Sequence, residues 1–353
     1  MVTRRIAVPC DGVPPDPQRL RQLPLVTLYL TERCNSRCIT CDYWRHGSSD
    51  MSLELVSRLL PSLTRLQTRV ALISGGEPLL NPEWAQIAQL LKESGLHVWL
   101  LTSGLSLAKH AARASQLFDA ITVSLDGANA ETYAAIRGLN AFERVCAGIA
   151  AAARTGVPVS VRVTVQAANY RQMPACIDVA RQLGAQQVSF VAVDVANPHA
   201  FGRLAGVVPD LALQPRDLPE FEQILCRLER DYVEDFRSGF IAESPGRLRR
   251  IHQYFSAICG TGAFPPRHCN APEFSAVIDA KGRVNPCFFI AGPPEAQPQQ
   301  ELGAVLNGGP MLALREDIRA GVRSECATCV CSLWREAGSR TTQDFLLSRK
   351  TNA

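Results

Sequence analysis

Residues 25–41 read LVTLYLTERCNSRCITC, and residues 70–78 read VALISGGEP. The first stretch opens with a β-branched and aliphatic run of strand length and closes on Cys34, Cys38 and Cys41, a C-x3-C-x2-C spacing. The second has the same order, an apolar run followed by a glycine-rich turn. Between them lies an amphipathic segment, 53–66, with Ser52 placed to cap it as a helix. Working outward, the same unit recurs. Residues 97–102, 120–125, 157–165 and 187–193 read as strands, and 84–92, 107–117, 142–154 and 173–183 read as helices. Short β-branched runs alternating with helices of this length imply a parallel sheet with right-handed crossovers. Six units fall short of an eightfold barrel, so the expected fold class is α/β, a partial (β/α)6 TIM-like barrel. In such folds chemistry sits where strands end, and the distinctive residues lie there. CNSRCITC follows the first strand, GGEP the second, TSG (102–104) the third and SLDG (124–127) the fourth.

The rhythm stops near residue 200. Residues 218–236 and 247–258 read as helices of a bridge, after which five cysteines surround a probable hairpin, 274–279 and 284–289, turning at Ala280-Lys281-Gly282. The expected organisation is an irregular, Pro-rich arm (1–22), the barrel (23–200), a helical bridge (201–262), a small cysteine-bearing module (263–335) and a tail (336–353). Composition narrows the class further. Thirty-seven Lys and Arg against 33 Asp and Glu leave a net charge of +4 over 353 residues, with no long basic block. Nucleic acid and anionic membrane surfaces are therefore not expected partners. No stretch reaches 18 apolar residues, and the N-terminus lacks a signal-peptide core. Thirteen cysteines is an odd number, which rules out complete disulfide pairing. Reduced thiols in a cytoplasmic protein, clustered as metal ligands, account for the pattern.

Two chemistries compete for the first cluster. Three thiolates on one tight loop can hold three irons of a [4Fe–4S] cubane and leave the fourth iron open to a small molecule. Alternatively, Cys34, Cys38 and Cys41 with His46 could make a structural zinc site. The C-terminal pattern, Cys269-x12-Gly282-x4-Cys287 followed by Cys326, Cys329 and Cys331, is equally open between a zinc ribbon and an iron–sulfur cluster.

In sequence order and inside a β/α series, the cysteine loop and GGEP together resemble the radical S-adenosylmethionine (SAM) superfamily. The resemblance covers roughly residues 24–195 and implies a [4Fe–4S] cluster on Cys34, Cys38 and Cys41 with SAM on the open iron. Its implied SAM contacts are the backbone at Thr40, the turn Gly75-Gly76-Glu77-Pro78 toward the methionine ammonium, Ser103, Ser124 at the ribose and Arg137 at the carboxylate. Thr40 stands where relatives often carry an aromatic ring, and Ser103 where many carry an asparagine. A surface ion pair is the alternative for Arg137, and Asp126 reads as a cap of the next helix. The later cysteines resemble a SPASM domain in its shortened, twitch-type form. That implies one auxiliary [4Fe–4S] cluster on Cys269, Cys287, Cys326 and Cys329, with Cys331 spare or replacing Cys329.

The implied reaction is reductive cleavage of SAM to a 5′-deoxyadenosyl radical, which takes hydrogen from substrate, with a flavodoxin or ferredoxin-type protein as electron donor. A small-molecule substrate (sugar, cyclitol or nucleoside-like) is expected, because only about 22 residues precede the first strand. The alternatives are a peptide or protein substrate and a non-enzymatic zinc scaffold. Cys10, Cys146, Cys176, Cys226 and Cys259 read as packing residues. His199, His252 and His268 read as surface or packing histidines, and 236–255 as a solvated helix face, with contact to substrate as its alternative.

Overall fold

Six short apolar-rich runs form the strands of a parallel sheet: β1 (Leu25–Thr31), β2 (Val70–Gly75), β3 (His97–Thr102), β4 (Ala120–Ser124), β5 (Val159–Val165) and β6 (Gln187–Ala192). The computed structural model describes residues 19–197, 200–203, 211–266, 269–296, 301–331 and 333–335. Most of the expected arm, the tail, Cys10, His199 and His268, and the side chain of His46, lie outside it. The sheet order is β6-β5-β4-β3-β2-β1, each neighbour parallel, as the β/α rhythm predicts.

Pleat alternation divides the sheet into two faces. On β5, Val159, Val161, Val163 and Val165 are fully buried toward the helices, leaving Ser160, Arg162 and Thr164 on the concave inner face. Each such valine contributes about 1.5–3 kcal/mol through burial. The covering helices include Leu53–Arg65, where the Ser52 side chain accepts a hydrogen bond from Leu55 N (3.2 Å), as expected of a cap. The next crossover carries the helix Ala130–Arg137, capped by Asn129 and stopped by Gly138 in the left-handed conformation (φ +70°).

Three features differ from expectation. The segment 218–236 is two helices, Leu218–Asp231 and Val233–Ser238, broken at Tyr232. The helix Gly309–Ala320 has no counterpart in the sequence reading. The hairpin, β7 (Ser275–Ile278) and β8 (Val284–Asn285), continues the barrel sheet: β7 lies parallel to β1, with Leu25 opposite Ser275 and Leu28 opposite Ile278. Its turn is set by Asp279, whose carboxylate accepts from Lys281 N and Arg283 N (both 2.9 Å), and by Gly282 at φ +86°. Among the described residues, no helix is long and apolar enough to cross a membrane.

Candidate active site at the barrel rim

The loop bearing Cys34, Cys38 and Cys41 is held from two sides by main-chain hydrogen bonds. On the β2 side, Gly76 N donates to Thr31 O (2.7 Å) and Glu77 N to Arg33 O (2.8 Å). On the other side, Arg37 N donates to Arg137 O and Ile39 N to Ile136 O (both 3.0 Å), tying the loop to the end of the helix Ala130–Arg137. The glycines serve this packing. A Cβ on Gly75 (φ +126°) would meet Thr31 O at 2.5 Å, and one on Gly76 would meet Arg33 O at 2.1 Å. The close approach the glycines allow is therefore to the chain's own cysteine loop.

Burial pushes the Cys34 thiol up to about 11, the Cys41 thiol up to about 12, and raises Cys38 as well. Thiols desolvated together in this way need a cation to become ligands, and iron supplies one. Arg137 supplies part of the positive potential, favouring the thiolate of each. Among the described residues, no three His, Cys, Asp or Glu side chains close on one point as the ligands of a single ion do. A cubane instead spreads its thiolates over separate irons.

Glu77 is fully buried and pins the ends of β2 and β3 together. Its carboxylate accepts from Thr102 Oγ1 (2.8 and 2.9 Å), Ser103 N (2.7 Å), Ser103 Oγ (2.6 Å) and Leu79 N (3.2 Å). Glu77 and the Ser103 hydroxyl are thus structural partners, and Ser103 Oγ also reaches Asn35 Oδ1 (3.3 Å). Arg137 is not on the surface. It is 9% exposed and paired with Asp126 (Nη1 to Oδ2, 3.0 Å), while its Nε is buried without a partner. Asp126 does not cap the following helix, a correction to the sequence reading. Its other oxygen accepts from Thr164 N (2.7 Å), and Asn129 takes the cap. Thr40 and Ser124 are half-buried, in the cysteine loop and at the end of β4.

The C-terminal cysteines also converge. Cys269, Cys287, Cys326, Cys329 and Cys331 line one cavity beside Phe289 and Ile290. Burial raises the Cys287 thiol to about 12 and raises Cys329 and Cys331. Cys329 Sγ accepts from Cys331 N (3.3 Å), so the two share one tight turn.

Between the two groups stands Tyr29, on the inner face of β1. Its ring lies 6.0 Å from that of Tyr43 and 6.4 Å from that of Phe288, and it interacts electrostatically with both Cys41 and Cys287. The sequence reading passed over Tyr29. The signal was present in strand alternation, since Thr27, Tyr29 and Thr31 share the inward face.

The remaining cysteines divide as expected for Cys146 and Cys176, which are buried, whereas Cys226 is exposed. Cys259 bonds the Leu213 carbonyl at 3.1 Å. His252 packs on Phe221 and contacts the Leu218 carbonyl. Tyr254 departs from the solvated-face expectation: it is 2% exposed, and its hydroxyl accepts from Val195 N just after β6 (3.1 Å).

Residues 28–175 match the profile of the Radical SAM superfamily. The matched stretch belongs to the radical SAM superfamily. That membership implies a [4Fe–4S] cluster and SAM at its rim. The barrel's sequence resembles the AdoMet-dependent heme synthase of Methanosarcina barkeri, 31% identical over 168 residues, 46% of this chain and 48% of that protein. It also resembles the probable GTP 3',8-cyclase of Methanococcus maripaludis, 29% identical over 189 residues, 51% of this chain and 63% of that protein. The chain thus spans less than two thirds of either relative. In fold, the chain is similar to Streptococcus suis SuiB bound to S-adenosylmethionine, with a TM-score of 0.62 at 14% identity over 90% of this chain and 74% of that one.

Proposed function

We propose that this chain is a radical SAM enzyme. In this reading it cleaves SAM reductively at Cys34, Cys38 and Cys41 and directs the radical onto a small molecule held on the barrel's inner face. One observation carries the reading: three thiols on a single loop, Cys38 buried and Cys34 and Cys41 half-buried, seated on the GGEP turn at the ends of the parallel strands. When bound, the cluster and SAM supply one-electron cleavage of the sulfonium C–S bond and a 5′-deoxyadenosyl radical that abstracts hydrogen.

The chain's own residues bind, orient and exclude water. The three cysteines would hold the cluster while leaving one iron free for SAM. Gly75 and Gly76 keep the loop against β2, and Glu77 fixes the strand ends from behind. Arg137, held by Asp126, presents its free Nε as a donor suited to a carboxylate. Thr40, Ser103 and Ser124 complete the rim assigned to SAM, with Ser103 left its carbonyl to offer, since Glu77 engages both its N–H and its hydroxyl.

We assign Cys269, Cys287, Cys326 and Cys329 to a closed auxiliary [4Fe–4S] cluster, with Cys331 as the spare thiol of that cavity. This treats residues 263–335 as a module built onto the barrel at 23–200. A flavodoxin or ferredoxin-type electron donor and a reducing, cytoplasmic setting follow from the same reading.

The test is anaerobic reconstitution with iron and sulfide, followed by reduction in the presence of SAM. Release of 5′-deoxyadenosine is expected, and its loss in the C34A/C38A/C41A variant. Zinc uptake without iron, or a loaded protein that never cleaves SAM, overturns the reading.

A further inference from the structure

The loop that carries Cys34, Cys38 and Cys41 also turns two side chains outward. Arg37 and Ile39 flank Cys38 and are both exposed, Ile39 at 39%, whereas Cys38 itself is buried. Their backbones, through the bonds to Arg137 O and Ile136 O, fix the loop and leave the side chains free. Gly138 permits this contact, since a Cβ there would meet Arg37 O at 2.3 Å. Trp44 extends the same surface. Its Nε1 donates to Cys38 O (3.3 Å), which sets the indole against the Cys38–Ile39 peptide. The Arg45 guanidinium, itself exposed, lies over that ring at 4.3 Å from its centroid.

The charge of this surface is positive. Residues 33–48 hold three arginines and a single carboxylate, Asp42. Asp42 is engaged by Arg45 Nε (2.8 Å), and Arg33 is paired with Asp50 (2.6 Å). Among the described residues, the Arg37 side chain has no hydrogen-bond or ion-pair partner. An exposed isoleucine beside an indole and two exposed guanidinium groups has the composition of a protein-binding patch. The approach to the auxiliary thiols differs in charge: Arg323, three residues before Cys326, is paired with Glu325.

We propose that Arg37, Ile39, Trp44 and Arg45 form the docking face for an acidic one-electron carrier protein, which passes its electron in across the Cys38 peptide. The inference rests on the radical SAM reading, which requires an electron donor, and adds where that donor binds. On this face the donor is oxidised by one electron and the cluster held by Cys34, Cys38 and Cys41 is reduced by one, and no bond forms or breaks. The route is short, because the carbonyl that bonds Trp44 belongs to a ligand residue. Redox encounters are small in area and transient, as a patch of four side chains would be. Complementary charge on the donor speeds the encounter.

Isothermal titration of the anaerobically reconstituted full chain with an oxidised flavodoxin of net negative charge, and separately with an acidic ferredoxin, reads docking without turnover. At least one carrier is expected to bind one-to-one, more weakly as salt is raised. Arg37→Glu and Ile39→Asp should each weaken that binding about tenfold, and Arg37→Lys should keep most of it. Arg113→Glu, on the outer helix Leu107–Leu117, makes the same change in charge and should leave binding unchanged. SAM cleavage is then driven either by the reduced carrier or by dithionite. At sub-saturating carrier the carrier-driven rate should fall about tenfold in Arg37→Glu. The dithionite-driven rate should stay at the wild-type value, because a small reductant needs no docking face.

Iron content per chain confirms that each variant is folded and loaded. Binding of neither carrier overturns the inference, as does binding that ignores both Arg37→Glu and Ile39→Asp. It is equally overturned if the dithionite-driven rate falls together with the carrier-driven one, because the residues then serve the cluster itself. Docking that is weakened by Arg323→Glu and not by Arg37→Glu would place the donor at the auxiliary module and overturn it as well. Dithionite-driven release of 5′-deoxyadenosine by the wild type separates failure of the docking face from failure of the radical SAM reading.

Discussion

Arg137 shows what a residue's local sequence can and cannot say. Resemblance puts it at the SAM carboxylate with a surface ion pair as the alternative, whereas the side chain is buried against Asp126, which sits on the loop after β4 and is itself 1% exposed. Nothing in the ten residues between them announces the pair, because it forms only once the helix folds back over the strand ends. Removing one partner of a buried pair leaves an uncompensated charge. Arg137→Met is therefore expected to destabilise the protein by about 3–5 kcal/mol. The double variant Arg137→Met/Asp126→Asn should recover most of that loss, since asparagine can still accept from Thr164 N. Urea midpoints of the two single variants and the double variant check this, and simple additivity contradicts it. Glu77 teaches the same lesson: the GGEP motif located it, but its Thr102 and Ser103 partners depend on strand register.

At the scale of elements, the six parallel strands were legible because each has a buried run bounded by turn residues and followed by a helical period. The docking of β7 on β1 was not. Its four residues, SAVI, are buried throughout and carry no alternation, and its partner lies about 250 residues earlier. Side-chain ties reinforce the docking: Lys281 in the hairpin turn pairs with Glu32 in the cysteine loop (3.0 Å). A second tie links the helix Leu302–Leu306 to the helix Leu53–Arg65. Glu301 accepts from Arg65 (2.7 Å), Ser62 (2.8 Å) and Ala304 N (2.8 Å), and Arg65 foremost lowers its carboxyl to about 2. A depressed carboxyl stabilises the fold above its ordinary value of 4.5 and loses that effect as pH falls toward about 2. Because both partners are solvent-exposed, Glu301→Gln should cost about 0.5–1 kcal/mol at pH 7. The difference should shrink between pH 4.5 and 2, as urea titrations at several pH values would read.

For the whole molecule, the spacing of the cysteines was informative, whereas their number only excluded complete disulfide pairing. Two groups that lie more than 200 residues apart in sequence sit on neighbouring parts of one continuous sheet, with Tyr29 between them. Spacing in the sequence groups the cysteines of each set within its own segment. It could not show that they flank a common inner face, because that depends on β7 joining β1 and on which residues of β1 and β5 point inward. The account divides the 13 cysteines into an open three-thiolate site, a closed four-thiolate site and residues outside both. Quantitative iron analysis with Mössbauer spectroscopy on the reconstituted chain and on its C34A/C38A/C41A variant tests that division most directly. The account predicts about eight irons per chain in the wild type and about four in the variant, all as one cubane. Complete loss of iron in the variant, or zinc in place of iron in either protein, would contradict it.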